Sequence, residues 1–304
     1  MKSTGMKILF SALVLTLAAC SGGGGGGGGG SNSGDVANPT PTITNPPTKA
    51  SGTASELGTI LGTVDEAATQ VAVQNMVDDF ELPTTGMSPA LKVLSSVRAG
   101  ESCITANEGW DIDADHDRFL DDASVKATNC EVTKSEEGVG TSYMTASLQS
   151  KDTDTTTFWA DASIAYSSNM ITKNASGATD GQYYFSFKST LDMAKGTLMI
   201  NSKEGGYDKS KEEAHEYSAF WLTFASDEVG VISLSGYVQY YSEGKGLVTL
   251  QVIGTDGSVN ESTECIEGIN VSLKYASGDT AGSVSGKTLC LAGTVETVTK
   301  AGLK

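Results

Sequence analysis

Histidine is almost missing from this chain, which holds only His116 and His215. A Ser-His-Asp triad would have to use one of them. His215-Glu216 has no second histidine at the spacing a zinc protease helix needs. No G-x-S-x-G, C-x-x-C or P-loop occurs, and no pair of carboxylates stands out as an acid and base for glycoside cleavage. The sequence therefore points away from an enzyme. Basic residues are also few: 20 Lys and Arg face 37 Asp and Glu, for a net charge of −17. Such a chain repels phosphate backbones and anionic surfaces, so nucleic acid is not expected as a partner, whereas cations and basic proteins are. Proline is scarce (6 residues) and the apolar share is a modest 38%, while glycine reaches 36. With abundant Ser and Thr, this mix favours strands and tight turns over helices.

The longest greasy run sits at the start. Lys2 and Lys7 precede I-L-F-S-A-L-V-L-T-L, and Ala18-Ala19-Cys20 closes it. The run is short for a membrane span, and the layout is that of a secretory signal. The ending L-A-A-C resembles the lipobox of bacterial lipoproteins. That resemblance implies cleavage after residue 19, acylation of Cys20 and a lipid anchor in the membrane. Ser21 follows, where the enterobacterial sorting rule places Asp for inner-membrane retention, so the outer membrane is expected. Gly22 to Gly30 and the Pro/Thr stretch beyond cannot build a core; residues 20–52 form a leash, flexible first and stiffer later.

Assigning Cys20 to the anchor leaves four cysteines. In an exported chain they read as two disulfides, and the local pairing Cys103 with Cys130 and Cys265 with Cys290 is preferred over the two other connectivities. Residues 53–100 read as a helical segment. Thr53 and Glu56 match a capping box, and Leu57, Ile60, Leu61, Val64, Ala67, Ala68 and Val71 recur at helical spacing. The pattern continues through Met76, Val77 and Phe80, and Ser88-Pro89 opens a second, short helix. The amphipathic helix needs a partner, and the sheet that follows supplies one.

Between Cys103 and Cys130, within the segment 101–138, lies D-I-D-A-D-H-D-R-F-L-D-D, residues 111–122. Carboxylates this dense repel one another unless a cation gathers them. Calcium takes six to eight oxygens at about 2.3–2.6 Å, often from alternate positions. Two registers fit. One resembles an EF-hand loop, with Asp111, Asp113, Asp115 and Asp122 as ligands. The other resembles the short loops of thrombospondin type 3 repeats, with Asp113, Asp115, Asp117, Asp121 and Asp122, and it is preferred because Phe119 and Leu120 then pin the loop to the core. Both lack the glycine of the sharp turn, where His116 or Arg118 stands instead.

From residue 139 to 304 a two-residue period takes over. Ala162, Ile164 and Tyr166 alternate with Ser163 and Ser167; Tyr183, Phe185 and Phe187 alternate with Ser186 and Lys188. Turn signals at 194–196, 226–228 and 243–246 separate such runs, and Lys203 to Glu216 reads as a charged excursion. The fold expected is mainly β: an antiparallel meander of about nine strands, curled into a barrel or a strongly curved sheet, with the N-terminal helix packed on it. A transmembrane barrel is disfavoured by the lipid anchor, the disulfides and the missing aromatic terminal strand. Trp159, Trp221, Tyr237, Tyr240 and Tyr241 are candidates to line a ligand cup. The function expected is a non-enzymatic, lipid-anchored envelope protein with a structural or binding role. The alternative is a carrier of a hydrophobic ligand that resembles lipocalins.

Overall fold

The computed structural model describes residues 45–79, 103–110, 112, 114, 121–134, 140–153, 162–192, 195–209, 215–260 and 265–290, with the backbone alone at 132–134, 140 and 290. Two helices, α1 (Ala54–Leu61) and α2 (Glu66–Asp78), precede eleven strands. These are β1 (Ile104–Ala106), β2 (Asp122–Lys134), β3 (Gly140–Asp152), β4 (Ala162–Asn174), β5 (Thr179–Asp192) and β6 (Thr197–Asp208), followed by β7 (Glu216–Ser226), β8 (Val231–Ser242), β9 (Gly246–Asn260), β10 (Cys265–Lys274) and β11 (Thr280–Cys290). All eleven form one sheet in chain order. Every pairing is antiparallel, so the architecture is a meander.

The helical region starts as its sequence indicates. The Thr53 hydroxyl accepts from the Glu56 N–H at 3.3 Å, satisfying one of the amides left open in a first turn. The single long helix expected through Phe80 is, however, two. Gly62 adopts φ 70° and caps α1 in the left-handed conformation that glycine takes without steric cost. Asp65 then caps α2, accepting from the Ala68 N–H at 2.7 Å. Val64, expected on the apolar stripe, falls in the break and is 92% exposed. The helix expected from Ser88 lies outside the described residues.

The strand alternation sorts the sheet into two sides. One is dry: Val125, Leu148, Ile164, Leu198, Phe224 and Leu250 all lie within a single buried cluster that also takes in Leu57 and Val73 of the helices. A flat sheet this wide could not bury one whole face under 21 helical residues. The sheet therefore curves around its own side chains, with the helices against β8 to β11. It does not close: β1 and β11 are its two ends and do not pair. The expectation of a mainly β antiparallel meander holds, and the barrel is not formed.

The count rises from the expected nine to eleven because residues 101–138, which read as a loop in sequence, hold β1 and the thirteen-residue β2. The dry positions of β2 are small, Ala123, Val125, Ala127 and Cys130. Its period is also broken at Asn129, which sits at φ 51° in a bulge between Ala127 and Cys130. The charged excursion expected from Lys203 is likewise shorter, since β6 continues in register with β7 as far as Gly206 and runs on to Asp208.

Helix α2 and the sheet meet closely at Gly282. A Cβ there would lie 2.9 Å from Val73 Cγ1 and 3.0 Å from Val77 Cγ2. Gly282→Val overpacks this contact and is expected to cost about 1–3 kcal/mol, seen as a fall of several degrees in Tm by calorimetry, while Gly62→Ala tests only the backbone turn.

Candidate functional site

The aspartate loop springs from the junction of β1, β2 and β3. Asn107 extends the β1–β2 ladder with its side chain: Oδ1 accepts from the Ser124 N–H at 2.7 Å, and Nδ2 donates to the Asp122 carbonyl at 2.6 Å. The loop is pinched shut at its base. Asp121 N–H donates to the Ile112 carbonyl at 2.9 Å, and Asp121 Oδ1 accepts from the Ala114 N–H at 3.1 Å. Asp121 Oδ2 makes no hydrogen bond among the described residues. Asp122 is exposed at the start of β2. Asp152, buried at the end of β3, donates its N–H to the Asp121 carbonyl at 3.1 Å. Asp111, Asp113, Asp115 and Asp117 lie outside the described residues, as does Cys20. Among the described residues no three His, Cys, Asp or Glu side chains gather into a metal-holding group. The donor set of the whole loop is hard carboxylate oxygen, the chemistry that calcium prefers.

Cys103 and Cys130 are bonded, with Cα atoms 5.5 Å apart, and so tie β1 to the bulged part of β2 beside this loop. Cys265 is also disulfide-bonded. Its backbone partner across the ladder is Cys290.

The side of the sheet opposite the core has a distinct chemistry. From β3 to β8, and along β9 as far as Ile253, the residues alternating with the core positions include two carboxylates, Asp180 and Asp192, near the ends of β5. Asp192 is engaged by Lys195 at 2.5 Å. The same positions carry Lys151, Lys173, Lys188 and Lys203. In a chain with 37 acidic residues this segregation stands out.

Tyrosines gather at one end of that face. Tyr184, Gly205, Tyr217 and Tyr241 are neighbours across four successive strands. Gly205 makes room for its neighbours: a Cβ there would sit 2.6 Å from the Tyr184 hydroxyl and 2.7 Å from Tyr217 Cβ. The Tyr217 and Tyr241 rings stack with centroids 5.0 Å apart. The Lys203 ammonium lies 4.6 Å from the Tyr217 ring centroid and 5.8 Å from that of Tyr184. Tyr207 packs on His215, with ring centroids 4.9 Å apart, and His215 Nε2 is buried without a hydrogen-bond partner among the described residues. Burial pushes the Tyr184 phenol up to about 12, and the neighbouring Tyr217 and Tyr241 push in the same direction. Burial lowers Lys203.

The aromatic set proposed from sequence is split by the fold. Trp221, Tyr237 and Tyr241 lie on this outward side. Tyr240 packs against the core, and Trp159 lies outside the described residues. Tyr184, Lys203, Tyr207 and Tyr217 were not singled out. Counting carboxylates on each parity of the strands would have found the face, because its acid deficit is written in the alternation itself.

No family model, no curated protein and no solved structure matches this chain.

The raised phenol of Tyr184 has a consequence for alkaline stability. An unfolded tyrosine ionises near pH 10, below the folded value of about 12. Its contribution is complete below the unfolded value and is lost as pH rises from there through about 12. Tyr184→Phe is expected to reduce the fall in Tm across that window, measured by circular dichroism beside the parent.

Proposed function

We propose that this chain is a lipid-anchored protein of the bacterial cell envelope, non-catalytic, with a binding role carried by the outward face of its sheet. The observation that carries the reading is the near absence of carboxylates from that face in so acidic a chain. Part of that face is buried, at Asn169, Gln182, Tyr184, Ser186, Ala219 and Trp221, where a carboxylate would be costly; on its exposed part, keeping acid off has no value for solubility, for which acid helps. It has value for a contact. Cys20, acylated after removal of residues 1–19, is the anchor, and residues 20–52 are the tether. Its place is the outer membrane.

Calcium is the proposed structural ion. Asp113, Asp115, Asp117, Asp121 and Asp122 would hold it, or Asp111, Asp113, Asp115 and Asp122 in the other register. Support comes from the pinched base of the loop at Ile112 and Asp121 and from the adjacent Cys103–Cys130 bond. The bound ion would draw the carboxylates together and brace the junction of β1, β2 and β3. The hydrophobic-carrier alternative calls for an empty apolar interior; the single packed cluster on the dry side favours the reading given above.

Two measurements test this. Mass spectrometry of the chain from a bacterial envelope is expected to find a fatty-acylated Cys20 at the mature amino end, and an unmodified end would remove the anchor. Millimolar calcium is expected to raise Tm relative to chelator, and the combined Asp113→Asn, Asp115→Asn and Asp117→Asn variant to lose that rise. Equal melting in calcium and chelator would remove the ion.

A further inference from the structure

We propose that Lys203, with the hydroxyls of Tyr184, Tyr217 and Tyr241, binds the carboxylate of an acidic sugar on the outward face of β5 to β8. Donors without acceptors gather on this face. Lys203 has no carboxylate or carbonyl partner among the described residues, and its ammonium is held in place by two tyrosine rings. The hydroxyls of Tyr184, Tyr217 and Tyr241 likewise have no hydrogen-bond partner among the described residues. In a protein with so many carboxylates, an ammonium and three phenols left together without one form an acceptor-binding site. The strong bonds available there are charge-assisted ones to an anionic oxygen.

The surroundings narrow the ligand. The Lys203 ammonium at the tyrosine cluster matches one negative charge, with Lys188 a row away across from Asn201, and the net −17 of the chain penalises a dianion such as phosphate. A zwitterion would bring a cation toward Lys203, which repels it. Ser186 beside Lys203 is buried and donates to the Lys203 carbonyl, and the partly exposed amides of the same face, Asn201 and Gln239, lie one row beyond Lys203 or in line with it. These suit a polyhydroxylated ring rather than a purely apolar acid. The partly exposed rings of Tyr237 and Tyr241 beside them offer an apolar face to the C–H side of a sugar. Trp221 and Tyr237 continue the aromatic strip one row further on.

This inference gives a ligand class to the binding role proposed above and rests on that reading of the face, not on the anchor or the ion. The test uses the full chain in detergent, titrated with glucuronate, glucose, inorganic phosphate and benzoate, with binding followed by nuclear magnetic resonance or calorimetry. Glucuronate is expected to bind, with glucose, phosphate and benzoate at least about tenfold weaker, a loss comparable to that of a charge-assisted bond. Lys203→Met is expected to weaken glucuronate about tenfold or more. Tyr217→Phe, which keeps the ring stack and removes one donor, is expected to weaken it less while leaving Tm unchanged. No glucuronate binding by the folded parent, equal affinity for phosphate or benzoate, or binding unaffected in both variants at unchanged Tm would each overturn the proposal. Failure here with an acylated Cys20 and a calcium-dependent Tm would sink the ligand alone and leave the anchor and ion standing.

Discussion

Strict pairing of each strand with its chain neighbours is the constraint on which this structure rests. It makes the two-residue period of side chains continuous from β2 to β10, so one parity of residues becomes a shared interior and the other a second face, itself buried at Gln182, Tyr184, Ser186, Ala219 and Trp221. A slip of one residue in any ladder would carry valines and leucines outward and bring lysine and tyrosine inward. The places where the ladder does shift are therefore informative. One is the bulge at Asn129, which restores Cys130 to the interior; others lie along β10 and β11 around Gly268 and Gly286. Both glycines have positive φ and absorb these irregularities.

Charge is distributed with the same parity. Acidic residues occupy the helix caps and ends, the aspartate loop, the turns and the rim of the dry side, where Glu204 accepts from Tyr183 and Ser218. Apart from Asp180 and Asp192 near the ends of β5, the opposite face is left to lysine, tyrosine, amides, hydroxyls and a few apolar residues. A uniform coat of carboxylate would have been the simple way to keep the domain soluble, and the chain does not use it on this face. The separation also explains how Lys203 can stay unneutralised: the nearest carboxylate on its own strand, Glu204, projects to the other side.

Much of the fold could be read from the chain, for physical reasons. Strands such as Ala162–Asn174 and Thr179–Asp192 place large apolar residues against hydroxyls, and a strong contrast marks the period. β2 was hidden because its interior residues are small, its period is broken by the bulge, and the aspartates before it dominate the composition. The helix break at Gly62 was written locally, in a glycine followed by Thr63 and the capping Asp65, but the spacing of apolar residues across it imitated one continuous helix. Closure of the sheet depends on the sum of twist and shear over all eleven strands, which no local pattern encodes. The tyrosine cluster was legible only in part, because its members come from four strands and meet through register.

One feature of the last strand bears on how the molecule behaves in a crowd. The terminal ladder of an open sheet invites foreign strands. Here α2 leans on that border: Gln74 Nε2 donates to the Ser283 carbonyl at 2.8 Å, and Lys287 Nζ reaches the Val77 and Asp78 carbonyls at the end of the helix. A helix latched there by two side chains acts as a fender. It lets the sheet stay open while denying that border to a foreign strand.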